Sequence, residues 1–150
     1  MDHQGAVRDL LQGKSGNMWT TKPDCTVYEA IRQMGEKDIG ALVVLEDGKV
    51  VGVLSERDYS RKVVLMGRTS RDTLVGDIIN RDVVTVTEHD SISDCMKLMT
   101  RNRIRHLPVV DEAGGLLGVV SIGDVVNWVI HLQNHTIQQL HGYISGEYPG

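Results

Sequence analysis

The sequence predicts a mixed α/β fold of the α+β type, built from two tandem repeats packed about a pseudo-two-fold axis. Three observations carry that prediction. The chain matches itself when slid by about 65 residues, the signature of an internal duplication. Each copy shows an apolar stripe at helical spacing followed by two short apolar runs split by a polar turn. The 150 residues, 41% of them apolar, can fill one compact core, whereas half of them would make a core too small to stand alone.

Taken in order, residues 1–18 read as an N-terminal segment. The opening MDHQGAVRDL has neither an apolar core stretch nor a small-residue cleavage pattern, so the cytoplasm is the expected compartment. Repeat 1 spans residues 19–67, with its duplicated run from Pro23 to Asp58. Val27, Ala30, Ile31 and Met34 form a helical stripe, Ala41 to Leu45 and Val50 to Leu54 form a strand pair, and EDGK between them has the Asp and Gly of a tight hairpin. A second helix is expected from near Ser55 to Gly67. Residues 68–82 are the linker.

Repeat 2 spans residues 83–131 and repeats the pattern from Glu88 to Asp124, with one residue inserted near Ala113. Its first helix carries Ile92, Cys95, Met96 and Met99; its strands run from Leu107 to Val110 and from Leu116 to Val120, joined by DEAGG. Each half thus reads helix, strand, strand, helix. The helix from Ser121 is expected to run on through a C-terminal helical tail, residues 132–150, with Val126, Val129, Ile130, Ile137, Leu140 and Ile144 near one stripe. Such a tail could pack on a partner subunit.

Composition excludes several functions. A net charge of −4 and almost no aromatic material argue against nucleic acid as a partner. No stretch approaches the roughly 20 apolar residues that a membrane helix needs, so no membrane span is expected. Cys25 and Cys95 match neither a zinc knuckle nor a CxxC pair, and reduced thiols are expected.

The motif richest in chemistry is G-x-x-S-x-x-D, present as Gly52-Val-Leu-Ser55-Glu-Arg-Asp58 and again as Gly118-Val-Val-Ser121-Ile-Gly-Asp124. Both copies fall at a strand-to-helix junction. One reading is purely structural, because Ser with Asp three residues later approximates a capping box. The other is functional: a helix N-terminus attracts phosphate, the Ser hydroxyl adds a donor, and an ionised Asp suits the two hydroxyls of a ribose. Phosphate and ribose together describe a nucleotide. In the second repeat Arg103 and Arg105 alternate along an extended segment, a pattern that reads equally as a solvated loop or as a local anion-binding edge in an otherwise acidic chain.

The repeat order, the paired GxxSxxD motifs and the runs SERDYSRK, RIRHLPVVD and SIGDVV resemble the tandem CBS (cystathionine-β-synthase) domain family, in its stand-alone form of one pair. The resemblance covers about residues 19 to 126. It implies a disc-like pair of βαββα-type units that dimerises and binds AMP, ADP, ATP, NAD or S-adenosylmethionine in up to two clefts. It further implies a regulatory protein that senses energy or redox state and signals, as a homodimer, to a separate effector protein.

Carried over residue by residue, the resemblance makes Asp58 and Asp124 the ribose carboxylates and Ser55 and Ser121 the phosphate-side donors, with Gly52 and Gly118 as structural companions. Arg103, Arg105, His106 and Pro108 fall where the family places polyphosphate contacts and adenine packing. Adenine is expected against Thr20, Ile39 and Ala41 in one half and against Thr85, Ile104 and Leu107 in the other. The first repeat departs from the pattern, since Ile39-Gly40-Ala41-Leu42-Val43 replaces Ile104-Arg105-His106-Leu107-Pro108. The two clefts are therefore expected to differ, with Arg57 and Arg61 supplying charge in the first.

No catalytic motif stands out. G-x-x-x-x-G-K, G-x-G-x-x-G and G-x-S-x-G are all absent from the sequence, and His131 and His135 lack the Glu and the third ligand of a helical zinc site. Neither an enzyme nor a metal protein is expected. Two non-catalytic readings remain: a nucleotide-binding regulator, and a ligand-free oligomerisation scaffold in which the motifs only cap helices. A nucleotide hydrolase is a third class, without positive support in the residues.

Overall fold

The computed structural model describes residues 5–14 and 18–145, the side chains of 135, 136 and 138–145 excepted. The chain begins with helix α1 (Val7–Gln12) and a short strand β1 (Thr20–Thr21). Repeat 1 continues with α2 (Val27–Lys37), β2 (Ala41–Glu46), β3 (Lys49–Ser55) and α3 (Glu56–Tyr59). Repeat 2 has α4 (Ile92–Asn102), β4 (His106–Val110), β5 (Leu116–Ser121) and the long α5 (Ile122–Ser145).

The first helix of each repeat starts and stops by the same chemistry. Thr26 Oγ1 accepts from Glu29 N at 3.2 Å, and Ser91 Oγ accepts from Asp94 N at 3.0 Å. At the other end Asp38 and Arg103 turn left-handed, with φ of 54° and 55°. The following N–H, of Ile39 or Ile104, then reaches back to Met34 O or Met99 O. The apolar stripes face inward: Val27, Ala30 and Met34 are buried in one repeat, and Ile92, Cys95 and Met99 in the other.

Both hairpins form as the sequence predicts. Asp47 and Gly48, at φ 53° and 78°, make a two-residue turn whose twist matches the strands. The second turn is longer, and Asp111 Oδ1 organises it by accepting from Ala113 N and Gly115 N. That is where the inserted residue goes. β1 lies parallel to β2, and β2 is antiparallel to β3. In repeat 2 the parallel strand shrinks to Val86, which donates to Pro108 O and accepts from Val110 N beside β4.

The second helix of repeat 1 departs from a regular α-helix. After four residues it widens over Ser60–Val64, where Leu65 N reaches Ser60 O at 3.0 Å and Arg68 N reaches Val63 O at 2.9 Å. Gly67, at φ 71°, follows the turn. In repeat 2 the helix runs without interruption into the tail, as expected; Leu140 and Ile144 of its predicted stripe lie outside the described side chains.

Two hydrophobic cores result, one per repeat, and the N-terminal segment joins the second. Val7 and Leu10 of α1 are buried with Val86, Met99, Leu107 and Val120. Val75, on a 3-10 turn in the linker (Val75–Asp77), and Ile78, which follows it, play the same part in the first core. Ala6 bridges to Ser91 as Leu74 bridges to Thr26, so the two segments occupy equivalent places. Among the described residues no helix is long and apolar enough to cross a membrane.

Candidate functional site

A cleft of about 360 Å³ lies between the repeats, within the size range of small-molecule sites. Repeat 1 contributes the start of β2, with Ile39, Gly40 and Ala41, and also Trp19 and Val53. Repeat 2 contributes His106, Gly118, Val119 and Ser121; Leu11, Lys14 and Met18 come from the N-terminal segment. The walls are mostly aliphatic with one indole. The polar groups gather at the end where β5 passes into α5.

At that end the capping box is fully formed. Ser121 N donates to Asp124 Oδ2 at 2.8 Å, and Asp124 N donates to Ser121 Oγ at 3.1 Å. Ile122 N donates to Arg105 O at 2.8 Å, so two donors at the N-terminus of α5 are already spent inside the protein. Positive charge is supplied by Lys14, whose Nζ donates to Asp124 Oδ2 at 2.8 Å and to Val119 O at 2.7 Å. Burial pushes the Asp124 carboxyl up, but the hydrogen bonds from Lys14 and Ser121 outweigh it and hold the group below the ordinary carboxylate value.

His106 pairs with Ser121 across β4 and β5 and faces Gly40, where a Cβ would stand 3.9 Å from its Cε1. Burial, followed by the charge of Lys14, lowers its pKa, with Asp124 opposing. A neutral imidazole at this place offers both a donor and an acceptor.

The pseudo-symmetric motif sits apart from this cleft. Ser55 N donates to Asp58 Oδ2 at 3.0 Å and Asp58 N donates to Ser55 Oγ at 3.2 Å, a second capping box. Arg57 Nη1 reaches across to Arg103 O at 3.4 Å, which joins the N-terminus of α3 to the loop before β4 of the other repeat. Lys62 stands 3.7 Å from Asp58. Arg61, Arg103 and Arg105 are exposed.

The structure therefore regroups the residues that the sequence singled out. Ile39, Ala41, His106 and Ser121 share one cleft, with Asp124 reached through Lys14. Ser55, Arg57, Asp58 and Arg103 form the counterpart. Adenine neighbours were expected repeat by repeat, whereas the cleft combines β2 of one repeat with β4 and β5 of the other, because the sheets face each other. Leu107 points elsewhere, fully buried in the second core, while Pro108, also buried, is on the strand face of His106 and pairs with Val119, though it does not itself line the cleft. Thr20, Thr85 and Ile104 are half-buried and do not line the cleft.

Sequence reasoning missed Leu11, Lys14 and Met18. A signal was present, since Val7-Arg8-Asp9-Leu10-Leu11 parallels Val75-Gly76-Asp77-Ile78-Ile79. The likeness is structural too: Asp9 accepts from Ala6 N at 2.9 Å and Asp77 accepts from Leu74 N at 3.2 Å. Among the described residues no three His, Cys, Asp or Glu side chains gather as metal ligands; those of His135 and His141 lie outside them.

Comparison with known proteins agrees with this architecture. A family model described as CBS domain matches residues 7–64 and again 75–131, so that α1 falls inside the first match. The chain is 43% identical to the mitochondrial CBS domain-containing protein CBSX3 of Arabidopsis thaliana, over 95% of this chain and 73% of that protein. A solved structure of a protein with CBS domains from Burkholderia ambifaria MC40-6 superimposes with a TM-score of 0.80 at 43% identity, covering 84% of this chain and 94% of the other. The structure of CBSX2 in complex with AMP gives 0.73 at 26% identity, covering 85% and 98%.

Proposed function

This chain belongs to the CBS domain family, and we propose that it is a regulatory module whose inter-repeat cleft binds an adenine nucleotide of the AMP, ADP, ATP or NAD class. The cleft itself carries this reading. It sets an aliphatic slot from repeat 1 against the Ser121–Asp124 cap and His106 of repeat 2, with Lys14 at the polar end. A flat base fits the slot, ribose hydroxyls suit the Asp124 carboxylate, and phosphate suits the cationic end. CBSX2, with AMP bound, supports the choice of ligand class.

The second cluster, Ser55, Arg57 and Asp58 with Arg103 and Arg105, is the counterpart site and differs from the first in its charge. Because the ligand contacts both repeats, its binding shifts the geometry of a homodimer that a separate effector reads, by no more than its differential affinity for the two states. The module acts by binding and not by catalysis. Its compartment is the cytoplasm in this reading; the mitochondrial Arabidopsis relative makes an organelle the other candidate.

Calorimetric titration of ligand-stripped protein with AMP, ADP, ATP, NAD, NADH and S-adenosylmethionine tests the proposal. Saturable binding that Asp124→Ala or Asp58→Ala abolishes, with the fold intact, supports it and assigns ligands to sites. The alternative, an oligomerisation scaffold, is favoured by the completeness of both capping boxes. It predicts lower stability in both variants and no nucleotide binding by any form of the protein. Turnover of ATP or NAD that scales with protein and fails in a cleft variant would refute the non-catalytic reading.

A further inference from the structure

We infer that Lys14 makes the cleft select a phosphorylated nucleoside over the bare nucleoside, by leaving Asp124 for the phosphate when the ribose arrives. The inference rests on the nucleotide reading above and adds a residue that lies outside the GxxSxxD motifs.

Lys14 is placed by the second repeat although it precedes the first. α1 is fixed there by Val7 N donating to Asp90 O at 2.8 Å, by Arg8 N donating to Glu88 O at 3.0 Å, and by the buried Val7 and Leu10 side chains. Lys14 N then closes the turn onto Leu11 O at 3.2 Å. The flexible side chain extends from this turn. Its ammonium, with three donors, holds Asp124 Oδ2 and the Val119 carbonyl.

Asp124 Oδ2 already accepts from both Ser121 N and Lys14 Nζ. Among the described residues Oδ1 is open to a first ribose hydroxyl, and a diol that takes both carboxylate oxygens brings its second hydroxyl to Oδ2, where it competes with Lys14. Releasing the ammonium, whose side chain is 35% exposed, exchanges its anionic partner for water and the Val119 carbonyl, a modest cost that a new anion would recover. A nucleoside offers that charge nothing. A 5′-phosphate offers a new anion at the same end of the cleft, where the spent donors of α5 contribute little of their own. His106, kept neutral, does not substitute for the lysine. A lysine reaches each motif carboxylate by a different route: counting from Val7 and Val75, the residue in the place of Lys14 is Asp82, and Asp58 is met instead, at 3.7 Å, by Lys62 four residues along its own helix.

The test titrates AMP and adenosine into wild type, Lys14→Met and Lys14→Arg, with thermal melts as fold controls. Wild type is expected to prefer AMP, and Lys14→Met to lose AMP affinity while gaining adenosine affinity, so that the ratio drops on the order of tenfold or more. Lys14→Arg keeps the preference. As a measurement free of mutation, added salt should erode the wild-type preference for AMP while leaving adenosine affinity level or higher. If AMP binds wild type and the ratio is unchanged in Lys14→Met, this inference fails while the nucleotide reading stands. If neither ligand binds wild type, both fall.

Discussion

Leu11 lies over Gly118 so closely that a Cβ on the glycine would stand 2.7 Å from Leu11 Cδ2. The equivalent Gly52 lies under Ile79, with Cδ1 at 2.9 Å, Cβ at 3.3 Å and Asn80 O at 3.4 Å. The glycines of the two motifs thus exist to admit a covering segment. The obstacles differ: at Gly118 the tip of one flexible side chain can rotate away, whereas at Gly52 a branched carbon and a backbone carbonyl stand behind the tip. Gly52→Ala is expected to cost about 1–3 kcal/mol, as overpacking does, and Gly118→Ala less. Urea midpoints of the two variants check the order.

The covering segments are core, not appendages. Leu10, 6% exposed, lies in the core of repeat 2, and Ile78, 4% exposed, in the core of repeat 1. Leu10→Ala and Ile78→Ala are each expected to destabilise by about 2–5 kcal/mol, the range for buried aliphatic truncation. A Leu10→Ala protein as stable as wild type in chemical denaturation would show that α1 does not belong to the folded unit.

The helices α2 and α4 and both hairpins were legible because their signals are local: a 3.6-residue stripe, a Thr or Ser cap, an Asp-Gly turn. The capping geometry of Ser55 and Ser121 was legible for the same reason. The role of α1 was not, since six residues give too little periodicity, and its likeness to residues 75–79 lies three positions out of the register that aligns the repeats. Alignment also shows which residues are equivalent and not which ones meet. Hence Ile39 and Ala41 were grouped with Thr20 in the first half, although they share a cleft with Ser121. Leu107 could have been read better, for Leu107-Pro-Val-Val is a continuous apolar run, the pattern of a strand buried in a core.

The two cysteines should separate by reactivity. Burial, then the nearby carboxylates of Asp90 and Asp94, pushes the Cys95 thiol up to about 11, while Cys25 is only half-buried. At pH 8 a pKa of about 11 leaves roughly a thousandth of Cys95 as the reactive thiolate. Alkylation of the native protein is expected to label Cys25 and spare Cys95, whose labelling should follow the rate of unfolding. Mass spectrometry of time points with and without urea reads this directly. Equal labelling of both under native conditions would contradict the packing of α4.

Stability should fall as the medium is acidified, in two steps with different owners. Burial, with Lys14 and Arg105 adding and Asp124 opposing, lowers His106 from its ordinary value of 6.5. The unfolded chain then binds a proton near pH 6.5 that the folded chain resists, so the contribution of a neutral His106 is intact above that value and shrinks as pH drops toward its folded pKa. Asp124 is also held below its ordinary 3.8, so its contribution is intact above that pH and is lost only as the pH falls through its still lower folded value. Unfolding midpoints between pH 7.5 and 5 should decline in wild type and decline less in His106→Gln, while both proteins keep the steeper loss below about pH 4. An identical decline in the two proteins would mean that His106 is not enclosed between Gly40, Lys14 and Ser121.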